Sequence, residues 1–412
     1  MTEQTAEQIN QELMLLGELF TPEYIQNPYP TLKKVREYNP LFKPEGASWL
    51  ASSYAIVQEV LRDKRFGHDY ENRMKLQHGS DVFAKNAGYN LLGQSMLLKD
   101  PPDHKRIRGL AVKAFGAARI NEMQPEIQAI VDELLDELEP KRHCDIISGF
   151  AFKLPVIVIC QMLGIPRKDW PGFLEGSNIS GRLIDPTPLS EEELVVENAN
   201  VKESSSYFRE LCERRRQNPK DDLITALVQA ETEDGVLTEV EVTANIQLLF
   251  GAGHETTVNL IGNGLLALHR HPEQLQLLKS DPSLVTNAVE ELLRYDSSVQ
   301  FSGRTAFEDV EIHGRKISKG EEVMTLLGAA NHDPEMYEDP DSLDIRREKI
   351  KPLSFGGGIH TCLGAQLARI EASVALNTLL KRLPGFKLDD IETPEWKDTI
   401  TLRGLKQLRA SW

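Results

Sequence analysis

Along most of the chain, apolar residues recur every three or four positions, the period of a helix with one buried face. The pattern is clear over 132–138, 203–216, 238–269, 283–295 and 363–383. Alternation with a period of two is sparser and is confined to 48–52, 310–317 and 322–327. In the second of these, His313-Gly314 reads as a hairpin turn. The pattern therefore predicts a mainly α fold with small β-sheets.

The longest predicted helix has marked ends. Thr238-Glu-Val-Glu241 has the form of a capping box, and His271-Pro272 stops the helical pattern. About thirty residues between these marks are enough to cross a whole domain. The middle of the helix, Phe250-Gly-Ala-Gly-His-Glu-Thr-Thr257, holds two glycines and two β-branched residues. These are weak helix formers, so a requirement other than helix propensity acts there.

A chain of 412 residues has room for two or three domains. No internal repeat, low-complexity tract or long linker divides it, so a single domain over residues 1–412 is expected. With 40% apolar and 27% charged residues, the composition is that of a globular protein. Forty-seven Lys and Arg against 63 Asp and Glu leave a net charge of -16, which argues against nucleic acid as the main partner. The apolar cluster from Leu13 to Leu16 is far short of the ~18 residues a membrane span needs. No basic start with an apolar core marks a secretory signal, so the expectation is a cytoplasmic protein without a membrane anchor. The cysteines at 144, 160, 212 and 362 show no C-x-x-C pair, and free thiols are expected of them.

Cys362 stands apart by its surroundings. It follows the Gly-rich run Phe355-Gly-Gly-Gly-Ile-His-Thr and directly precedes the helix predicted from about Leu363 to Leu383. A sulfur at a helix N-terminus meets unpaired N–H groups and the positive end of the dipole, which favour the thiolate that binds metal. Gly356, Gly357 and Gly358 would let backbone lie close to a flat ligand. Taken alone, a cysteine at such a turn is more often simply buried. The full pattern of Phe355, Gly358, His360, Cys362 and Gly364, however, resembles the haem-binding loop of the cytochrome P450 family.

That resemblance implies a haem-thiolate monooxygenase, with b-type haem (iron protoporphyrin IX) between the long helix and the helix after the cysteine loop, and Cys362 as iron ligand. It places Phe355, Gly358 and Gly364 against the cofactor. Ala252-Gly-His-Glu-Thr256 looks like the family's oxygen-activation segment, with Ala252 beside haem and its glycines letting the helix open locally. Glu255 and Thr256 would relay protons, as a carboxylate next to a hydroxyl is able to do. The bland alternative is an ordinary polar turn, with the hydroxyls bonded back to carbonyls four residues earlier.

Glu291-Leu-Leu-Arg294 puts an acid and a base on one helix face. In the family this pair is joined by a downstream arginine, here Arg347, in a structural role. Haem carries two propionates, so cations should arrive from several segments. By resemblance these are His104 and Arg108, one helical turn apart, together with Arg304 and His360. Where bacterial relatives usually carry Arg, His332 stands in Asn331-His-Asp-Pro334, which puts the salt bridge of that arginine in doubt.

Residues 104–121 hold Lys105, Arg106, Arg108, Lys113 and Arg119 and no acid, against the sign of the whole chain. Such a local reversal suits docking of an acidic partner. In the family that partner is a separate ferredoxin or flavodoxin served by its own reductase. No Gly-rich dinucleotide fingerprint follows a strand, which agrees with electrons from another protein. The implied reaction inserts one oxygen atom of O2 into a small apolar substrate, by hydroxylation or epoxidation, in a monomeric enzyme. By resemblance the substrate lies against 89–92, 170–189, Leu248, Ala252, 299–301 and 400–402. These mostly apolar stretches suit a fatty acyl chain, a terpenoid, a steroid or a polyketide of macrolide type equally well. Gly172, Gly176, Gly181 and Pro186 to Pro188 suggest a mobile lid. Two alternatives stay open: a peroxide-driven peroxygenase, against which the Glu255-Thr256 pair speaks, and a non-catalytic haem sensor.

Overall fold

The computed structural model describes residues 5–412 apart from 115, 176–179, 188, 233–234 and 390. The chain forms two compact units, each assembled from separated stretches. Unit 1 comprises Met1–His68, Asn259–Cys362 and Phe386–Ala410, and unit 2 comprises Asp69–Val258, Leu363–Gly385 and Ser411–Trp412.

Helix predominates, as the apolar spacing predicts. Gln124–Leu138 buries Ile127, Ile130, Val131, Leu134, Leu135 and Leu138, one apolar stripe on an otherwise acidic helix. The long helix runs through 32 residues, Glu239–Arg270, about 48 Å at 1.5 Å per residue. Its capping box is formed: Thr238 N donates to Glu241 Oε2 at 2.8 Å, and Glu241 N donates to Thr238 Oγ1 at 3.2 Å. The helix predicted over 203–216 is longer than its apolar pattern, spanning Glu191–Gln217. Its first turns are too polar to show a period, but Ser190 and Glu193 cap them reciprocally.

The predicted strands are Trp49–Ala51, Val310–Ile312, Arg315–Ile317 and Glu322–Leu326. Val310 pairs with Ile317 and Ile312 with Arg315. His313 and Gly314 between them both have positive φ, 46° and 73°, the requirement of a type I′ turn. Phe301–Ala306 is a strand that periodicity missed, because Ser302, Gly303 and Arg304 hide its alternation. It pairs antiparallel with Glu322–Leu326 at the centre of a five-stranded sheet in unit 1. Trp49–Ala51 joins the far side of Glu322–Leu326 in parallel, and Phe66–Gly67 flanks Phe301–Ala306. Val57, Val60, Leu61, Val323, Leu327 and Leu353 share one apolar core beside this sheet.

Two buried carboxyl groups behave differently. Glu291 and Arg294, on helix Val285–Tyr295, form a fully buried pair at 2.7 Å. The arginine's remaining hydrogens go to carbonyls: Nη1 to Asn331 O at 3.0 Å and Pro340 O at 2.7 Å, Nη2 to Ser342 O at 2.9 Å. Arg347 takes the place expected of it, with Nε donating to Glu291 Oε1 at 3.1 Å. His332 also keeps an acidic partner, since its Nδ1 lies 3.0 Å from Asp341 Oδ1 and its Nε2 lies 2.9 Å from Tyr295 O. Imidazole thus serves where the family's arginine was expected. Glu371, on helix Ala365–Arg382 of unit 2, is the contrasting case. Its side chain is buried and its Oε2 has no hydrogen-bond partner among the described residues. Desolvation holds its carboxyl well above the usual carboxylate range.

Truncating Arg294 leaves Glu291 as an uncompensated buried charge, so Arg294→Ala is expected to cost about 3–5 kcal/mol in urea unfolding. The Glu371 effect carries the opposite sign of an ordinary carboxylate. Its folded pKa is raised, so the native state holds a proton that the unfolded chain releases, and stability falls as pH rises above the usual carboxylate range. Glu371→Gln removes that dependence. Urea midpoints measured from about pH 4 to about pH 8 should move progressively in the variant's favour.

Candidate functional site

The cysteine loop is set from behind. Leu353–Phe355 is a short 3₁₀ turn. Ser354 Oγ donates to Leu293 O at 2.6 Å, while Asn331 donates from Nδ2 to Ser354 Oγ at 2.9 Å and accepts from Leu353 N at 2.8 Å. Asn331 O is also an acceptor of Arg294, so the buried pair, the loop's entry and helix Val285–Tyr295 form one connected network.

Beyond Phe355 the glycines are needed for conformation and space. Gly356 and Gly358 have φ of 68° and 67°, where a side chain is strained. A Cβ on Gly358 would also lie 2.2 Å from Leu61 O, so the loop rests directly on the end of helix Tyr54–Arg62. Cys362 N donates to Phe355 O at 2.9 Å and closes the loop.

Cys362 is exposed, whereas Cys160 and Cys212 are buried and Cys144 is intermediate. Burial pushes the thiols of Cys144, Cys160 and Cys212 up to about 11, 12 and 11, which makes them inert at neutral pH. The helix after the loop begins later than expected, at Ala365 with Gly364 as N-cap. Gly364, at φ -85° and ψ 8°, is not helical and supplies no side-chain cap. Cys362 therefore stands two residues before the cap.

The other expected site residues divide between the units. Arg304, Phe355, Gly358, His360 and Cys362 lie in unit 1, whereas His104, Arg108, Ala252, Glu255, Thr256 and Gly364 lie in unit 2. Arg304 is buried on strand Phe301–Ala306, where its Nη1 donates to Ser302 Oγ and Gly303 O, both at 2.8 Å. His360 meets a residue that sequence reasoning missed. The ring of His68 packs edge-to-face against it, with centroids 4.6 Å apart. No motif surrounds His68; only strand pairing brings it there.

In unit 2, His104 is buried on helix Asp103–Ala114, with Arg108 one turn further on. Arg106 beside them is not a free surface cation, because it bridges Asp103 at 2.9 Å and Glu241. Arg119 likewise pairs with Asp221 at 3.0 Å. Tertiary pairing thus uses part of the basic stretch that looked unopposed in sequence. The side chain of Lys113, and Gly176 and Pro188 of the expected lid, lie outside the described residues.

The long helix stays regular through 250–257, against the expectation that it opens locally. Side chains instead load its carbonyls. Thr256 Oγ1 donates to Ala252 O at 3.1 Å, Thr257 Oγ1 to Gly253 O at 3.4 Å, and His254 Nδ1 lies 2.7 Å from Phe250 O. Back-bonding of this kind weakens a helix turn without breaking it. Ala252 is exposed while Leu249 and Val258 on either side are buried, so this helix presents a small open face.

Of the stretches expected around a substrate, the structure joins 298–300 to 401–403. Gln300 N donates to Thr401 O at 2.9 Å and Arg403 N to Ser298 O at 2.8 Å. In unit 2, Tyr89, Leu92 and Leu183 share an apolar cluster, and Phe173 packs on Phe250 with ring centroids 4.9 Å apart.

Haem requires a soft anionic donor, backbone able to approach a flat ring, and cations for two carboxylates. Within unit 1, the exposed Cys362, the glycine loop that carries it, and Arg304 and His360 are of the kinds this demand calls for.

Comparison with known proteins agrees. The family model described as Cytochrome P450 matches residues 192–401. Cytochrome P450 CYP107DY1 of Priestia megaterium is 41% identical over 94% of this chain and 97% of its own. The vitamin D(3) 25-hydroxylase of Pseudonocardia autotrophica is 40% identical, with 95% of each chain covered. Among solved structures, P450BioI in complex with hexadec-9Z-enoic acid ligated acyl carrier protein superposes with a TM-score of 0.88 and 38% identity, over 95% of this chain and 100% of that one.

Proposed function

The chain belongs to the cytochrome P450 family of oxidoreductases, and from that premise we propose that Cys362 ligates the iron of a b-type haem in a monooxygenase acting on an apolar substrate. The observation that carries the assignment is the exposed thiol of Cys362 on a loop fixed by a buried ion pair, while burial keeps the other three thiols protonated.

Bound haem supplies an iron that takes up dioxygen and, through its thiolate, the electron donation that favours cleavage of the oxygen–oxygen bond. The chain supplies position, charge and protons. Cys362 would provide the anionic sulfur, its backbone N–H held by the hydrogen bond it donates to Phe355 O. By the family pattern Phe355, Gly358 and Gly364 would line the approach of the ring, and Arg304, His360, His104 and Arg108 would compensate the propionates.

Glu255 and Thr256 deliver protons. In the structure the Thr256 hydroxyl donates to Ala252 O, the resting bond expected of a plain helical threonine. That bond parks the hydroxyl's proton on the helix, and relay requires the hydroxyl to rotate off it toward the open face at Ala252.

The substrate is a fatty acyl, terpenoid, steroid or polyketide type compound. Two relatives support an apolar class: one is named for vitamin D(3) hydroxylation, and the other is seen with an acyl chain on its carrier protein. Electrons come from a separate ferredoxin or flavodoxin, for which exposed Lys105 is a contact. Arg106 and Arg119 are occupied by acids of their own unit and contribute less. No helix of the described residues is long and apolar enough to cross a membrane, and the enzyme is proposed to work as a cytoplasmic monomer.

Cys362→Ser is expected to abolish the red-shifted Soret band of the reduced carbon monoxide complex, and its survival would assign the ligand elsewhere. Thr256→Ala should retain that band and substrate binding, while product formed per electron pair falls about ten-fold as electrons pass to peroxide. Unchanged coupling would remove Thr256 from the proton path.

A further inference from the structure

His68 lies outside every motif, yet strand pairing delivers it to the basic groups of unit 1. Phe66–Gly67 runs antiparallel to Phe301–Ala306, with Phe66 opposite Ala306 and Gly67 opposite Thr305. Continued by one position, that register sets His68 opposite Arg304. Directly opposed residues of an antiparallel pair present their side chains on the same face. Thr305 Oγ1 donates to His68 O at 3.4 Å, so the backbone stays attached beyond the strand's end. From there the His68 imidazole reaches the ring of His360, 4.6 Å away between centroids and nearly perpendicular at 80°.

A guanidinium and two imidazoles are thus gathered from three separate segments of one unit, with His68 and Arg304 both buried. The Nη1 of Arg304 donates to the Ser302 hydroxyl and the Gly303 carbonyl. A guanidinium and imidazole N–H groups are all hydrogen-bond donors to a carboxylate, so an anion placed among them is held by each.

We propose that His68 is a third anion-binding residue of this cluster and donates a hydrogen bond to the haem propionate held by Arg304 and His360. The proposal rests on the haem reading above and extends it to a residue that no motif assigns. His68 is a positioning residue for the cofactor and takes no part in oxygen chemistry. A purely structural role, in which His68 only buttresses the His360 ring, makes the opposite demands on substitution.

The test is the rate of haem transfer from the holoprotein to excess apomyoglobin, followed in the Soret region. His68→Phe keeps a ring against His360 and loses the donor; His68→Gln keeps a donor and loses the ring. The expected result is transfer about ten-fold faster for His68→Phe and close to the native rate for His68→Gln. Reconstitution with haem dimethyl ester, which has no propionate charge, should reduce the His68→Phe effect to less than about two-fold. A native rate for His68→Phe overturns the proposal, as does the same ratio of variant to native rate with haem and with its ester. Faster loss from His68→Gln alone overturns it in favour of the buttress. If the native chain formed no thiolate-type carbon monoxide spectrum, the assignment of Cys362 would fall as well. A native spectrum with unaltered transfer by His68→Phe removes His68 alone.

Discussion

The cysteine loop depends on a charge pair that touches no substrate. Glu291 and Arg294 are wholly buried, and a buried pair is stable only when every remaining donor and acceptor is satisfied. That condition gives the pair its reach. Arg294 can meet it only by taking the carbonyls of Asn331, Pro340 and Ser342, and Glu291 only by accepting from Arg347 and from the amide of Asp344. An irregular segment with little sheet or helix of its own is thereby held as firmly as a secondary-structure element. Asn331 then passes the constraint through Ser354 and Leu353 to the loop that carries Cys362.

The glycines of that loop answer a second constraint, that of close approach. With Leu61 O under Gly358 there is no room for a Cβ, so the loop lies flat on the end of a helix and its cysteine is left open. Exposure sets Cys362 apart from the other thiols. The other cysteines show what burial does to the same group, raising its pKa until the thiolate is absent at neutral pH.

The long helix resolves a different conflict. Residues 250–257 are poor helix formers, but the helix neither breaks nor opens there. Three side chains bond back to carbonyls four residues earlier, so the turn is kept regular while its carbonyls are shared. Such a turn is easier to rearrange than one held by amide bonds alone. It lies where the acid and alcohol proposed to move protons must change partners.

Much of this was legible in the amino-acid order. Helices with one apolar face, the cap at Thr238 and Glu241, the His313-Gly314 turn and the spacing around Cys362 are local features, set by residues within a few positions of one another. The family, and the haem that it implies, follow from the same short-range patterns. What only the tertiary structure decided depends on residues far apart in sequence. Ser302, Gly303 and Arg304 hid a central strand until Glu322–Leu326 paired with it. Arg106 and Arg119 looked like a basic surface until Glu241 and Asp221 were brought to them. His68 had no motif at all until strand register carried it to Arg304 and His360. Periodicity and motif spacing record what a residue needs from its neighbours along the chain; which distant charges and rings it meets is decided by packing, and no local pattern encodes that.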